Sequence, residues 1–217
     1  AVFSSIDRQG RYAYDRQPVL AQWNLARLAE TLLPLISPEN PEAALPQAQE
    51  LIEEAPEIYA REWRMRMAAK LGLAQPDAAA EGLVTEFLSL LASGQADFTR
   101  SFAALAPAAQ GDETALDQCL GDTPDRAAWL AGWRARLEAE TDGAGGAAER
   151  MAALNPVYIA RNHLVEAALE AAHSGDLVPT RNLLEVLSQP FTRRAGLEAF
   201  EMPAPAGFGP YTTFCGT

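Results

Sequence analysis

Lysine is almost missing from this chain of 217 residues: of seventeen basic side chains only Lys70 is a lysine, and the rest are arginines. Set against twenty-nine acidic residues they leave a net charge of −12 and a pI near 4.6. A surface that acidic excludes broad binding to a phosphate backbone, so nucleic acid is not an expected partner. Cysteine is scarce too, with only Cys119 and Cys215, 96 positions apart. That spacing forms neither a CxxC pair nor a disulfide framework and fits a reducing, cytoplasmic setting. With His163 and His173 the only histidines, a zinc site would need all four residues to converge from distant parts of the chain, and no metal ligands are assigned. No apolar run reaches the roughly 18 residues of a membrane span, so no membrane partner is expected. β-branched residues are sparse and no stretch alternates for long, which leaves no convincing strand.

What the chain has in quantity is alanine, leucine and helix punctuation. Pro18 opens a helix in which Leu20, Trp23, Leu25, Leu28 and Leu32 recur at helical spacing to about Pro34. The prolines of Ser37-Pro38-Glu39-Asn40-Pro41 interrupt it, and a second helix is expected to end at Ala55, before Pro56. A third carries Trp63, Met67 and Leu71 to Gly72, and a fourth runs from Asp77 or Pro76 to Gly94. Asp97 caps a short helix through Phe98 and Phe102, after which residues 106–121, rich in alanine, are expected to be peripheral. Thr123-Pro124 starts a helix with Trp129 and Trp133 on its buried face, and the glycine run 141–146 is expected to end it as a loop. Asn155-Pro156 is expected to begin a helix from Val157 to His173, and another follows from Asp176 or Val178 to Leu187. The fold class is therefore all-α, an irregular bundle of about eight to ten helices. The expected organisation is one helical unit: a motif-rich segment 1–17, a scaffold 18–200, and a Pro/Gly-rich tail 201–217 that carries Cys215.

Two stretches concentrate chemistry. The opening Ser4-Ser5-Ile6-Asp7-Arg8-Gln9-Gly10-Arg11-Tyr12-Ala13-Tyr14-Asp15-Arg16 crowds acids, arginines and tyrosines around one glycine. Arginine forks suit phosphate or carboxylate, and an exposed aspartate suits proton or cation binding. Asp-Arg pairs that merely pin a loop explain the same residues, and both roles stay open. The second stretch, Asn155 to Leu164, holds Arg161, Asn162 and His163 in succession. On a helix three consecutive side chains diverge by about 100° each, which favours a structural motif over a catalytic one. Cys215 has no neighbouring cation to activate it and reads as a free thiol, the chain's redox candidate.

The order of these motifs resembles that of the selenoprotein O family, the YdiU-like proteins of bacteria. The likeness rests on Ser5 to Tyr14, Gln17-Pro18, Trp23 to Ala29, Met67 to Leu73, Asp97-Phe98-Thr99, Trp133 with Arg136-Leu137, the Asn155 to Leu164 block, Gly175-Asp176-Leu177 and Pro190-Phe191. It implies a protein adenylyltransferase with a protein-kinase-like fold, of which this is the C-terminal region. It further implies transfer of AMP from ATP, with Mg²⁺, to hydroxyl side chains of protein substrates. The family's glycine-rich loop, lysine, catalytic Asp and Mg²⁺ ligands belong upstream of the opening motif. The expectation is therefore a fragment, consistent with a first residue Ala1 rather than Met. It would have no catalytic residues of its own, bind no ATP or Mg²⁺, and have the upstream kinase-like lobe as its partner. Asp7, Arg11, Tyr12 and Arg16 would border the active site. Family members often end in a redox-active Cys or selenocysteine, matched by Cys215, but Phe3 stands where some relatives carry a partner Cys. The alternative is a non-catalytic helical interaction module.

Overall fold

The structure is a computed structural model and describes residues 2, 4–209 and 211–213. Among them are ten α-helices, no strand, and one isolated parallel bridge between Ser4 and Thr213. The all-α class and the expected helix number both stand. Packing divides the described residues into two units, one reaching to Trp63 and including the segment near Thr213, the other running from Arg64 to Phe208.

In the first unit a 3-10 turn, Tyr14–Arg16, leads into α1 (Gln17–Ile36) with Pro18 in the first turn, where a missing N–H costs nothing. The helix passes Pro34, its expected end, and closes when the Ser37 N–H donates to the Leu33 carbonyl. A 3-10 turn, Pro41–Ala44, precedes α2 (Leu45–Lys70), the longest helix, and the division between units falls within it.

The break expected at Pro56 does not occur. A proline inside a helix deprives the carbonyl four residues earlier of its donor. Here that carbonyl belongs to Ile52, and the Gln22 side-chain amide of α1 donates to it at 3.2 Å. A neighbouring helix thus supplies the hydrogen bond that proline cannot. Among the described residues of this unit the buried apolar ones are Ala13 and Ala44, and α1 has no buried residue along its 20 positions.

The second unit holds α3 (Ala78–Ser93), α4 (Phe98–Ala103), α5 (Leu105–Ala109), α6 (Thr114–Leu120), α7 (Pro124–Glu138), α8 (Gly143–Leu154), α9 (Asn162–His173) and α10 (Val178–Leu187). Asp77, Asp97 and Thr123 cap α3, α4 and α7 through side-chain oxygens that accept the N–H groups of Ala80, Arg100 and Arg126. The core is aromatic. Phe87 meets Phe102 edge-on at 5.0 Å and stacks on Trp129 at 4.6 Å, and Trp129 stacks on Trp133 at 5.3 Å. Both indole N–H groups are satisfied by backbone, Trp129 by the Leu83 carbonyl at 2.9 Å and Trp133 by the Leu71 carbonyl at 2.8 Å.

Three expectations about this unit are corrected. Residues 106–121 are not peripheral: Ala108 and Leu116 are fully buried, because α5 packs on α8 and α6 on α4 and α5. The glycine run is not a loop, since α8 begins at Gly143. Its small side chains suit close packing, and Gly72, at φ +78°, faces this helix so tightly that an added Cβ would lie 3.1 Å from the Ala147 Cβ. Finally, Val157 to Arg161 is not helical. Pro156 disfavours helical backbone at Asn155, which sits at φ −100°, ψ 105°. The N–H groups of Val157 and Tyr158 both donate to the Pro190 carbonyl, at 2.7 and 3.1 Å, so the segment stays non-helical until Asn162 starts α9.

Candidate functional site

The opening stretch folds into a tight turn organised by Asp7. One carboxylate oxygen accepts the Arg11 N–H at 2.8 Å and the other the Tyr12 N–H at 2.7 Å. Gly10, at φ +70°, supplies the left-handed residue that the turn requires. Desolvation pushes the Asp7 carboxyl upward, but the N–H groups of Tyr12 and Arg11, then those of Gln9 and Gly10, outweigh it and hold its pKa below the usual range. The Gln17 side chain closes the turn by donating to the Tyr12 carbonyl at 3.0 Å.

The Arg11 guanidinium lies over two rings, 5.2 Å from the centre of Trp23 and 5.8 Å from that of Tyr12, and Arg27 approaches Trp23 at 5.5 Å. Tyr12 and Trp23 remain about half exposed. Asp7, Arg11 and Tyr12 therefore form one constellation, while Arg16 ends the 3-10 turn beyond it with its side chain exposed. Trp23 and Arg27 belong to the same surface. In the sequence both fall within the Trp23 to Ala29 motif, and Trp23 also keeps the helical spacing of α1.

The second stretch is a clamp on α4. The Asn155 side-chain amide donates to the carbonyls of Lys70 at 2.9 Å and Phe102 at 3.2 Å, and its oxygen accepts the Lys70 ammonium at 2.8 Å. Lys70 also sits 5.0 Å from the Phe102 ring centre, and burial lowers its pKa. Six residues on, Arg161 grips the N-cap of the same helix. It donates twice to Asp97, at 2.7 and 3.1 Å, and once to the Glu201 carbonyl at 2.8 Å. Between these two, Tyr158 is fully buried, and its hydroxyl accepts the Arg194 N–H at 2.8 Å.

Asn162 points away as an exposed first residue of α9. His163 lies edge-on to Phe208 at 5.9 Å, its pKa lowered by desolvation and then by the charge of Arg161. The structure thus brings Asn155 and Arg161 onto one helix and leaves Asn162 and His163 outside the clamp. The partners Lys70, Asp97 and Glu201 escaped the sequence. Asp97 was legible as a cap, but nothing local signals its second role.

Cys119 lines a cavity of about 260 Å³ with Arg100, Arg193 and Glu201, and burial raises its thiol pKa, which works against reactivity. Cys215 and Phe3 lie outside the described residues, and with them the redox assignment.

Among the described residues, neither candidate aspartate, Asp7 nor Asp97, fits a divalent cation. Both oxygens of Asp7 already accept backbone N–H groups, and those of Asp97 accept a guanidinium and a cap N–H. The buried side-chain atoms without a partner are mainly arginine Nε groups, which repel a cation. Among the described residues no group of three or more His, Cys, Asp or Glu could hold a metal, and none of the helices is long and apolar enough to cross a membrane.

A family described as Protein adenylyltransferase SelO matches residues 2–188. The chain belongs to the SelO family. Bacterial relatives named Protein nucleotidyltransferase YdiU align along the whole chain: one from Cereibacter sphaeroides is 50% identical over 217 residues, covering 44% of that relative. Another from Chromobacterium violaceum is 48% identical over 219 residues, 46% of its length, and one from Mycolicibacterium paratuberculosis is 48% identical over 222 residues, 43% of its length. The chain therefore spans less than half of each of these SelO-family relatives, and the resemblance carried by its motifs is confirmed.

Proposed function

We propose that this chain is the C-terminal helical region of a protein adenylyltransferase, the part that follows and supports a kinase-like catalytic lobe. The observation that carries this is the match of every part of the chain to proteins more than twice its length that are named nucleotidyltransferases. In the complete enzyme a protein hydroxyl attacks the α-phosphate of ATP, the α–β anhydride bond breaks, and pyrophosphate leaves. Mg²⁺, held by residues outside this chain, would neutralise phosphate charge.

The chain's own contribution is positional. The Asp7 turn presents Arg11 and Tyr12 as a half-exposed wall at the edge of the active site, with Arg16 beyond it, and within the Arg64 to Phe208 unit the Asn155–Arg161 clamp holds α4 in register. The setting is the bacterial cytoplasm, supported by the bacterial relatives and by the scarcity of cysteine.

On this reading the isolated chain neither binds ATP nor transfers AMP. Calorimetry with ATP and Mg²⁺ on the chain alone is expected to show no heat above dilution; micromolar binding through Arg11 or Arg16 overturns the assignment. Joined to the remaining part of a SelO-family relative, the chain is expected to support transfer of labelled AMP to protein. A joined protein that folds but transfers nothing favours the non-catalytic interaction module instead.

A further inference from the structure

Helix α1 is an anomaly for a soluble helix. Leu25, Leu28, Leu32 and Leu35 recur at three- and four-residue steps, the spacing of a buried stripe, yet they are between 39% and 76% exposed. On α2, Leu51 and Ile58, seven positions apart and so on one side of the helix, are 61% and 44% exposed. A groove of about 520 Å³ joins the two rows, with Pro18, Leu25, Leu51, Ile58 and Tyr59 in its walls and Glu62 its only charged lining residue. Leu28 and Leu32 continue the Leu25 row along α1. An apolar face of this extent, low in charge, marks a surface built to be covered.

We infer that this face is the seat of the part of a full-length family protein that the present chain does not span. It would bury the Leu25–Leu28–Leu32 row of α1 and the Leu51–Ile58 row of α2. The occupant follows from length. Relatives aligned to the whole chain use 44% of their residues to do so, so more than half of each lies elsewhere, available to cover a face that this chain leaves open.

The inference rests on the proposed function only in naming the family protein as the whole, and it is read by binding rather than by catalysis. The chain is joined to the region of the Cereibacter sphaeroides relative that it does not span, and amide exchange along residues 17–36 and 45–58 is compared with that of the free chain. Joining is expected to slow exchange there at least about tenfold. Leu28→Glu combined with Leu32→Glu is expected to return it to the free rate, while the helix content of the free chain stays unchanged because both positions are already exposed. A milder variant, Leu28→Cys, keeps the face apolar, and its maleimide labelling, followed at that peptide by mass spectrometry, is expected to be slower in the joined protein.

Unchanged exchange, or protection that survives both glutamates, overturns the inference. So does a free chain that sediments as a dimer and is split by the same two substitutions, because the face then belongs to a second copy. A joined protein with the face covered but no AMP transfer leaves this inference standing and removes the functional assignment; transfer with the face still open does the reverse.

Discussion

Arg161 and Asp97 form an enclosed charge pair between distant segments, with side chains 8% and 18% exposed. Arg161→Ala leaves a carboxylate in a nearly closed site with the Arg100 N–H and the Arg100 charge as its remaining support. The expected cost in urea unfolding is about 3 kcal/mol, at the low end for breaking a buried pair because that cap remains. Arg161→Lys keeps the charge but loses the fork, so its loss should fall between wild type and alanine.

The same pair sets an acid dependence. Desolvation pushes the Asp97 carboxyl up, but the Arg161 hydrogen bond, the Arg100 N–H and the two arginine charges together hold its pKa below the ordinary value. Its stabilisation is complete above the unfolded pKa of about 3.9 and is lost as pH falls through the lower folded value. Below about pH 4 the wild type should therefore lose stability more steeply than Arg161→Ala; equal slopes in acid unfolding followed by circular dichroism would contradict this linkage. Gly72 offers a separate test. At φ +78°, with Ala147 and Met151 3.1 Å from any added Cβ, Gly72→Ala should cost about 1–2 kcal/mol from backbone strain alone, read as a lower Tm.

Among the elements, α2 shows how an expected break is overridden. Pro56 orphans the Ile52 carbonyl and Gln22 recaptures it. Gln22→Ala should cost about 1 kcal/mol in the native chain and close to nothing in a Pro56→Ala background, where the backbone N–H of residue 56 serves the carbonyl. Additivity in that double-mutant cycle would show that the two residues are not coupled.

The same contrast explains what was legible. The caps Asp77, Asp97 and Thr123 and the helix starts they mark depend on three or four neighbouring residues, and each could be read directly. Pro56, the helix opened at Gly143 and the non-helical segment 157–161 depend on Gln22, on Gly72 and α5, and on the Pro190 carbonyl, which no local pattern announces. The site follows this rule too. Asp7, Arg11 and Tyr12 meet because they share one turn, whereas Asn155 and Arg161 find partners 85 and 64 positions away.

For the molecule as a whole, the two units should differ in resilience. The Arg64 to Phe208 unit owns the aromatic core of Phe87, Phe102, Trp129 and Trp133, while α1 buries no residue at all. In the free chain, amides of α1 should exchange well before those of α3 and α7, by local opening rather than global unfolding. Uniform protection across all three helices would show that α1 draws its stability from something other than burial of its own side chains.

The lone lysine has a practical corollary. Apart from the chain's α-amine, Lys70 is the only target for an amine-reactive probe, and its ammonium is bound to Asn155 and seated beside the Phe102 ring. A single acylating reagent therefore becomes a stopwatch for this junction, since the modification rate at this one position records how often the half-buried ammonium leaves Asn155 and the Phe102 ring.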